Sequence, residues 1–170
     1  MTTVPKNFLC SAFFYSALTI VASLIPLTAS ANTELARSAE KGLVDQVKHM
    51  LDDGVDVDSR LNDGSTALHW ATLRDQQEVV TILLEAGANP VVLNRNGISP
   101  LFLAVQNGNE NIVSQLFKAG ADPNTLSESG ETILMTAAHT GKPEVVSLLL
   151  ANGALLDARD PDFQQTALMI

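Results

Sequence analysis

Cysteine and aromatic residues are scarce in this sequence. Its 170 residues include one cysteine, Cys10, and aromatic residues make up 5% of the chain. A single cysteine cannot form an intramolecular disulfide or a multi-cysteine zinc site, so disulfide-stapled and cysteine-rich metal-binding folds are excluded. Hydrophobic residues nevertheless make up 46%. This composition is typical of a folded domain with an aliphatic core.

Basic residues are also few. Ten lysines and arginines stand against nineteen acidic residues, which gives a formal net charge of −9. The basic residues are scattered singly along the chain, and the overall field repels polyanions. Nucleic acid is therefore not an expected partner.

The N-terminal segment 1–31 contains no acidic side chain. A lysine is followed by the apolar run Phe8–Ile25 and then by small residues at Ala29 and Ala31. A charged start, an apolar stretch and an A-x-A pattern are typical of a secretory signal peptide. The sequence predicts Sec-type cleavage between Ala31 and Asn32. An uncleaved membrane anchor is the alternative, because the run approaches the length of a bilayer span.

Cleavage would remove Cys10 and leave a mature chain without cysteine. Since Lys6 is the only charged residue in the removed segment, the net charge would change from −9 to −10. A cysteine-free chain needs no disulfide chemistry in an oxidising compartment, so packing alone would stabilise it. We expect the mature protein in the periplasm or outside the cell.

One eight-residue pattern returns at a fixed interval. The stretch GSTALHWA begins at Gly64, GISPLFLA at Gly97 and GETILMTA at Gly130, so the two intervals are equal. A second series of glycines has the same period. Agreement between independent series indicates a repeat architecture. The second series is Gly54, Gly87, Gly120 and Gly153.

Each repeat predicts two helices. Thr66, Ser99 and Thr132 precede an alanine-rich apolar pattern, where a hydroxyl side chain can cap the first helix. A second segment, such as the one containing Val79-Val80 and Leu83-Leu84, has a broad aliphatic face. The glycines of the second series follow it, where a helix can end in a left-handed residue.

These units resemble the ankyrin-repeat family. The family pattern is a G-x-T-P-L-H-x-A turn and helix, a second helix ending in leucines, and a G-A-D loop. The resemblance extends from about Glu34 to the end of the chain and implies an all-α solenoid of stacked helix–turn–helix units joined by β-turn loops. It also implies that His69 is a structural residue whose ring forms hydrogen bonds within the turn region, and that Trp70 packs near the helix–helix seam.

The repeat register divides the chain into six segments. After the signal peptide at 1–31, residues 32–61 lack an opening turn, as an N-terminal capping repeat does. The last segment starts a further repeat but stops inside its first helix, so that Leu168 is expected to lack a covering helix. Two explanations of this incomplete repeat remain open: the sequence is a fragment of a longer product, or the last helix is a minimal cap. The remaining segments are repeats at 62–94, 95–127 and 128–161, and the truncated repeat at 162–170.

No catalytic or metal-binding constellation is present in the sequence. The residues one and two repeats after His69 are Phe102 and Met135, which could not replace a catalytic base. No histidine pair has the spacing of a zinc site. Ser99 lies in GISPL, which lacks the final glycine of a nucleophile elbow. We therefore predict a protein that is not an enzyme and needs no cofactor or metal.

The predicted function is protein binding. Ankyrin-like stacks usually bind partners through the concave face of the first helices and through the β-turn tips. The main hypothesis is an exported, non-enzymatic adaptor or scaffold, and its partner would be another protein. The alternative is an N-terminal recognition module of a longer exported protein, which could include an enzyme. The predicted contact residues are Ser65, Leu73, Arg74, Arg95, Asn96, Ile98, Gln106, Asn107, Glu128, Glu131, His139 and Thr140.

Overall fold

The structure is a computed structural model that describes residues 25–127, 130–159 and 164–169, with side chains from residue 31 onward. Most of the predicted signal peptide therefore lies outside the described residues. The described part of the chain contains eight helices. They are α1 (Ile25–Lys41), α2 (Val44–Asp52), α3 (Ala67–Leu73), α4 (Gln77–Glu85), α5 (Pro100–Asn107), α6 (Glu110–Lys118), α7 (Ile133–Thr140) and α8 (Pro143–Ala151).

The helices form two layers. The inner helices α1, α3, α5 and α7 pack on one another in chain order, and so do the outer helices α2, α4, α6 and α8. Each inner helix also packs on the outer helix that follows it. Within the described residues, β-structure is limited to one antiparallel bridge between Leu126 and Thr132. The predicted all-α repeat solenoid is confirmed.

Hydroxyl side chains cap the inner helices α5 and α7, as predicted. The Ser99 hydroxyl accepts a hydrogen bond from the Phe102 backbone N–H at 3.1 Å, and the Thr132 hydroxyl accepts one from Met135 N–H at 3.2 Å. Each bond satisfies a backbone donor that has no partner inside its helix. Pro100 occupies the first turn of α5, where its missing N–H costs no helical bond.

Outer helix α4 ends at the glycine of the second repeat series. Gly87 adopts a φ of 88°, a left-handed conformation that glycine adopts without a Cβ penalty. The Gly87 N–H donates to Leu84 O at 3.0 Å, and the Ala88 N–H donates to Leu83 O at 2.9 Å. This pair of bonds is a Schellman motif, which satisfies the last carbonyls of the helix.

Small and aliphatic residues fill the space between the layers. Ala71, Ala104 and Ala137 are each 0% exposed, so their small side chains allow neighbouring inner helices to approach closely. One leucine in each of α3, α5 and α7 is buried deeply beside them. Those leucines are Leu68, Leu101 and Leu134, which are 0%, 1% and 2% exposed.

The first unit has no turn before its inner helix. Helix α1 begins at Ile25 and runs through the predicted cleavage bond between Ala31 and Asn32. Its exposed side includes an ion pair in which Arg37 Nη1 lies 3.1 Å from Glu34 Oε2. Among the described residues, none of the helices is long and apolar enough to cross a membrane.

Two hydroxyl groups are buried without a partner at the seam between α1 and α3. The side chains of Ser38 and Thr72 are 0% exposed, and neither hydroxyl oxygen forms a hydrogen bond within the described residues. The equivalent positions of the following repeat carry Ala71 and Val105, which are apolar and similar in shape.

We therefore expect Ser38→Ala and Thr72→Val each to raise the free energy of unfolding by about 1 kcal/mol. An unpaired buried hydroxyl costs about that much, and an apolar group of the same shape removes the cost. Urea unfolding of each variant beside the parent protein measures the change. A lower stability for both variants would show that the hydroxyls have partners in solution.

Candidate partner-binding surface

Three short turns project from the inner layer; Glu128 and Ser129 of the third lie outside the described residues, and the hydrogen bonds at its ends match those of the other two. We call these turns fingers. In the first, Leu61 N–H donates to Ser65 O at 2.8 Å and Gly64 N–H donates to Leu61 O at 2.9 Å. The equivalent bonds recur in the second finger, at 3.1 Å each, and in the third, at 3.0 and 2.9 Å. The fingers are residues 61–65, 94–98 and 127–131.

The first two fingers are joined to each other. The Arg95 N–H of the second finger donates to Asp63 O of the first at 2.9 Å. Beside this bond, Arg60 Nη1 donates to Leu93 O at 3.1 Å. These contacts fix the spacing between neighbouring fingers, so the side chains on them are displayed on a defined scaffold.

His69 links its own unit to the next one. Its Nδ1 accepts hydrogen bonds from the Thr66 N–H at 3.1 Å and the Thr66 hydroxyl at 2.9 Å. The proton must then be on Nε2, which donates to Ile98 O at 3.1 Å. Burial lowers the pKa of His69 and outweighs the opposing effect of the bond to Ile98, so the ring stays neutral. The structural role implied by the sequence resemblance is the one that the structure shows.

Asp63 organises the first finger. Its carboxylate accepts hydrogen bonds from the Ser65 N–H at 3.0 Å and from the Ser65 hydroxyl at 2.9 Å. Burial favours the neutral acid, but these bonds hold the pKa of Asp63 below its usual value. Ser65 itself is 5% exposed. The exposed side chains of this finger are Asn62 and Asp63, so Ser65 acts inside the turn and offers a partner little surface.

Two of the predicted contact residues on the inner helices bind neighbouring repeats. Arg74 Nη2 donates to Glu40 Oε1 on α1 at 2.7 Å. Asn107 Nδ2 donates to the carbonyls of Thr72 and Leu73 at 3.2 Å, which satisfies two carbonyls at the end of α3. These side chains connect adjacent inner helices.

The fourth unit, which contains α7 and α8, brings Glu131 and His139 together. Glu131 Oε1 lies 3.5 Å from His139 Nδ1 and accepts a hydrogen bond from the Thr136 hydroxyl at 3.1 Å. Thr140 donates its hydroxyl proton to Ala137 O at 2.7 Å. His139 remains 60% exposed at its side chain, so it can contact a partner while Thr140 is directed to its own helix.

Besides Arg74, which is paired with Glu40, five of the predicted contact residues are exposed and lie on the inner helices or the fingers. We call this set the inner face. Leu73 is the apolar member at 38% exposure, and Ile98, also predicted, is half-buried. Glu128, also predicted, lies outside the described residues. The inner face consists of Leu73, Arg95, Asn96, Gln106 and His139.

Three residues that connect the repeats were not among the sequence predictions. Besides Glu40, Asp75 accepts hydrogen bonds from the side-chain amides of Asn107 and Asn109 at 3.2 and 3.1 Å. Lys142 donates from Nζ to Gly108 O at 3.2 Å, at the C-terminal end of α5 where a cation is favoured. The recurrence of complementary polar residues about one repeat apart is the sequence signal that could have identified them.

In the part of the chain that the structure describes, we find no cluster of side chains arranged for catalysis. A cavity of about 580 Å³ lies between α1 and the first finger. Its lining has one charged pair, Arg60 and Asp63, and polar side chains but no histidine or cysteine. Within the described residues, no group of three histidine, cysteine, aspartate or glutamate side chains could hold a metal ion.

Comparison with known proteins gives one consistent result. A family model described as "Ankyrin repeats (3 copies)" matches residues 8–97, 35–127 and 101–170. The chain is 37% identical over 70 residues to Ankyrin repeat domain-containing protein 40 of Homo sapiens, which is 41% of this chain and 19% of that protein.

Two further relatives are much larger proteins. SH3 and multiple ankyrin repeat domains protein 1 of Homo sapiens is 36% identical over 77 residues, 45% of this chain and 3% of that protein. The 2-5A-dependent ribonuclease of Homo sapiens is 34% identical over 74 residues, 43% of this chain and 10% of that protein. In all three relatives the matched segment is less than a fifth of their length.

Proposed function

Since this chain belongs to the ankyrin-repeat family, whose repeats generally mediate protein–protein interaction, we propose that it is an exported, non-enzymatic adaptor that binds another protein through its inner face. The observation that carries the proposal is the exposed set of varied side chains on a rigid, repeated scaffold. At equivalent positions the units present Leu73, Gln106 and His139. Variation on a constant backbone is what selective recognition requires.

The packing of the inner face supports a binding role. Hydrogen bonds between Arg95 and Asp63 and between His69 and Ile98 hold neighbouring units in register. Exposed side chains on such a scaffold lose little backbone freedom when a partner binds, and this favours affinity. The face combines an aliphatic residue, a cation and amides, which suits a protein surface of mixed polarity.

The environment of His69 supports a non-enzymatic role. The ring is buried, neutral and saturated with hydrogen bonds, so it has no nitrogen available for a substrate. The matched ribonuclease shares only 10% of its length with this chain. The activity in its name therefore gives no reason to assign nuclease chemistry to these repeats, and the net charge of −9 opposes nucleic-acid binding.

The export part of the proposal is supported by the repeat register. Thr33 stands one full repeat before Thr66, so it is equivalent in register to the cap residue of the next unit, although in the structure it lies within α1. The predicted cleavage before Asn32 would remove the part of α1 before Asn32 and would keep Thr33 and the segment of α1 that follows it. We propose a periplasmic or secreted location, and we expect Asn32 at the N-terminus of protein purified from that compartment.

A double substitution in the inner face tests the binding role. We expect Arg95→Ser with His139→Ser to reduce the protein partner captured from the native compartment at least about tenfold, as loss of two contact side chains typically does. The melting temperature should stay unchanged, because both side chains are exposed. Co-purification followed by mass spectrometry measures the captured partner.

The matched control is Lys48→Ser with His49→Ser, a cation and a histidine exposed on outer helix α2. We expect this control to capture as much partner as the parent protein does. Equal capture by the inner-face variant would place the binding surface elsewhere. Arg74 is left unchanged in both variants because loss of its ion pair with Glu40 would alter the stacking of α1 and α3.

A further inference from the structure

Four exposed side chains recur at one-repeat intervals in the loops that follow the outer helices. Two of them are leucines, Leu93 and Leu126, which are 40% and 53% exposed. The equivalent positions one repeat before and one repeat after the leucines carry Arg60 and Arg159, which are also exposed. We call these four residues the strip. None of them belongs to the inner face.

The loop backbone turns the strip outward. The preceding residues Ser59 and Val92 are 7% and 8% exposed, so they point inward while the next side chain points out, as successive side chains of an extended segment do. The Leu93 carbonyl accepts the hydrogen bond from Arg60 at 3.1 Å, and the backbone of Leu126 forms one side of the antiparallel bridge. Both leucines are therefore held in place between complete neighbouring units, and their exposure is a property of the repeat itself.

The centre of the strip is aliphatic. Val91, two residues before Leu93, is 46% exposed and adds a third apolar side chain to the pair of leucines. Single exposed apolar residues are ordinary, but a group of them on a surface that is otherwise polar is typical of a contact site. A ligand of the strip should therefore bring apolar side chains of its own.

The ends of the strip are positively charged. Arg60 and Arg159 each donate a hydrogen bond from Nη1 to an uncharged backbone carbonyl, that of Leu93 and that of Gln164 respectively. Within the described residues, neither arginine forms an ion pair with a carboxylate. The chain as a whole has a formal net charge of −9. Two unpaired cations on such a protein attract carboxylates locally, while the overall field repels a polyanion.

We propose that the strip binds an extended segment of a partner protein in which two aliphatic side chains are flanked by carboxylates. The aliphatic side chains would contact Leu93 and Leu126. The carboxylates would pair with Arg60 and Arg159. The inference rests on the proposed function in taking a protein as the ligand, and it adds a second surface and the chemistry of the segment that this surface recognises.

The spacing of the strip favours the polyproline II conformation. Packed helices lie about 8–10 Å apart, so equivalent residues of neighbouring units are separated by about that distance. Polyproline II returns to the same face every three residues, or about 9 Å. An α-helix instead presents a broad stripe of side chains, whereas the strip offers about one side chain per unit. The expected ligand therefore has its aliphatic residues three positions apart and its acidic residues three positions further out.

A proline-rich peptide is a suitable probe because proline holds this conformation before binding. The probe is ten residues long, with leucine fourth and seventh, glutamate first and tenth, and proline elsewhere. We expect the fluorescently labelled peptide, with blocked termini, to bind the purified protein saturably in fluorescence anisotropy. A control peptide of the same composition has its leucines two positions apart, which places them on different faces. It should bind at least about tenfold more weakly.

The charged ends are tested separately. Glutamine in place of both peptide glutamates should weaken binding about two- to tenfold at low salt, as loss of two exposed ion pairs does. Raising the sodium chloride concentration from about 50 to about 500 mM should weaken binding of the glutamate peptide and leave the glutamine peptide almost unchanged. An equal salt dependence of the two peptides would contradict the role given to Arg60 and Arg159.

Variants of the protein locate the site. Leu93→Ser with Leu126→Ser should weaken binding of the probe at least about tenfold. The matched control is Leu43→Ser with Leu150→Ser, which changes leucines of similar exposure, 44% and 41%, outside the strip. This control should bind as the parent protein does. Melting temperatures verify that both variants are folded, and the peptide series gives a readout that needs no change in the protein.

Three results would overturn the inference: no saturable binding of the probe, equal affinity for the two leucine spacings, or tighter binding of a helical peptide with leucines seven positions apart. Each leaves the proposed function standing if Arg95→Ser with His139→Ser still reduces partner capture. Conversely, strip-dependent binding of the probe combined with undiminished capture by the Arg95 and His139 variant would support the strip and contradict the inner face.

Discussion

Replacing Leu83 with alanine is expected to lower the free energy of unfolding by about 2–5 kcal/mol. Leu83 is 0% exposed on α4, which packs on α2, α3 and α6. The substitution removes three buried carbon atoms and leaves a cavity that the stacked helices can close only in part. A loss of this size is a large share of the stability of an ordinary domain.

Urea unfolding followed by circular dichroism measures this loss, and Leu168→Ala is the matched control. The same chemical change at a side chain that is 83% exposed should alter stability by less than about 0.5 kcal/mol. Because each repeat contacts only its neighbours, the loss at Leu83 should weaken adjacent units as well. A change below about 1 kcal/mol at Leu83 would contradict the packing described above.

Replacing His69 with phenylalanine should cost about 2–3 kcal/mol at neutral pH. The ring volume is kept, as in Phe102 of the next unit, but the Thr66 N–H loses its acceptor and Ile98 O loses its donor. Buried polar groups left without partners cost about 1–3 kcal/mol each. Thermal and urea unfolding at about pH 7.5 would show the loss.

The same residue predicts how stability depends on pH. In the unfolded chain His69 titrates near 6.5, and burial lowers the pKa of His69 in the folded state. The unfolded state therefore binds more protons as the pH falls, and the folded state becomes less favourable. The contribution of the neutral ring is fully present above pH 6.5 and is lost progressively below it. The pKa of Asp63 is lowered from its usual value of 3.8. Its contribution to stability is therefore lost only in more acidic solution than the contribution of His69.

We expect the parent protein to lose stability as the pH falls below about 6.5, and His69→Phe to lose less over the same range. Chemical unfolding at several pH values measures both curves. The control His49→Gln changes a side chain that is 77% exposed and should follow the parent curve. Parallel curves for His69→Phe and the parent would show that His69 is not the residue responsible.

Much of the fold could be predicted because its signals are local and repeated. The hydroxyl at Ser99 begins a helix, the glycine at 87 ends one, and both roles depend on backbone groups a few residues away. The constant repeat period then fixes the order of units, because a repeat buries its apolar face only against its neighbours. For the same reason the unpacked state of Leu168 could be anticipated from the register.

The composition of the candidate binding surface could not be read from the register in the same way. Equivalent positions differ in their partners: Arg74 forms an ion pair with Glu40, while Asn107 in the next unit donates hydrogen bonds to the carbonyls of Thr72 and Leu73. Ser65 turns inward because the carboxylate of Asp63 lies within hydrogen-bonding distance. Whether a polar side chain is exposed depends on its hydrogen-bond partners, which lie in the neighbouring repeat or within its own turn.

The sequence by itself determined the all-α repeat architecture, the helix caps and the structural role of His69's position in the repeat. The tertiary structure decided which side chains remain available to a partner, and which nitrogen of the His69 ring carries the proton. The physical reason is that helix formation and capping are satisfied by contacts within one unit. Availability is instead a property of the contacts between units, such as those of Asn107 with the end of α3.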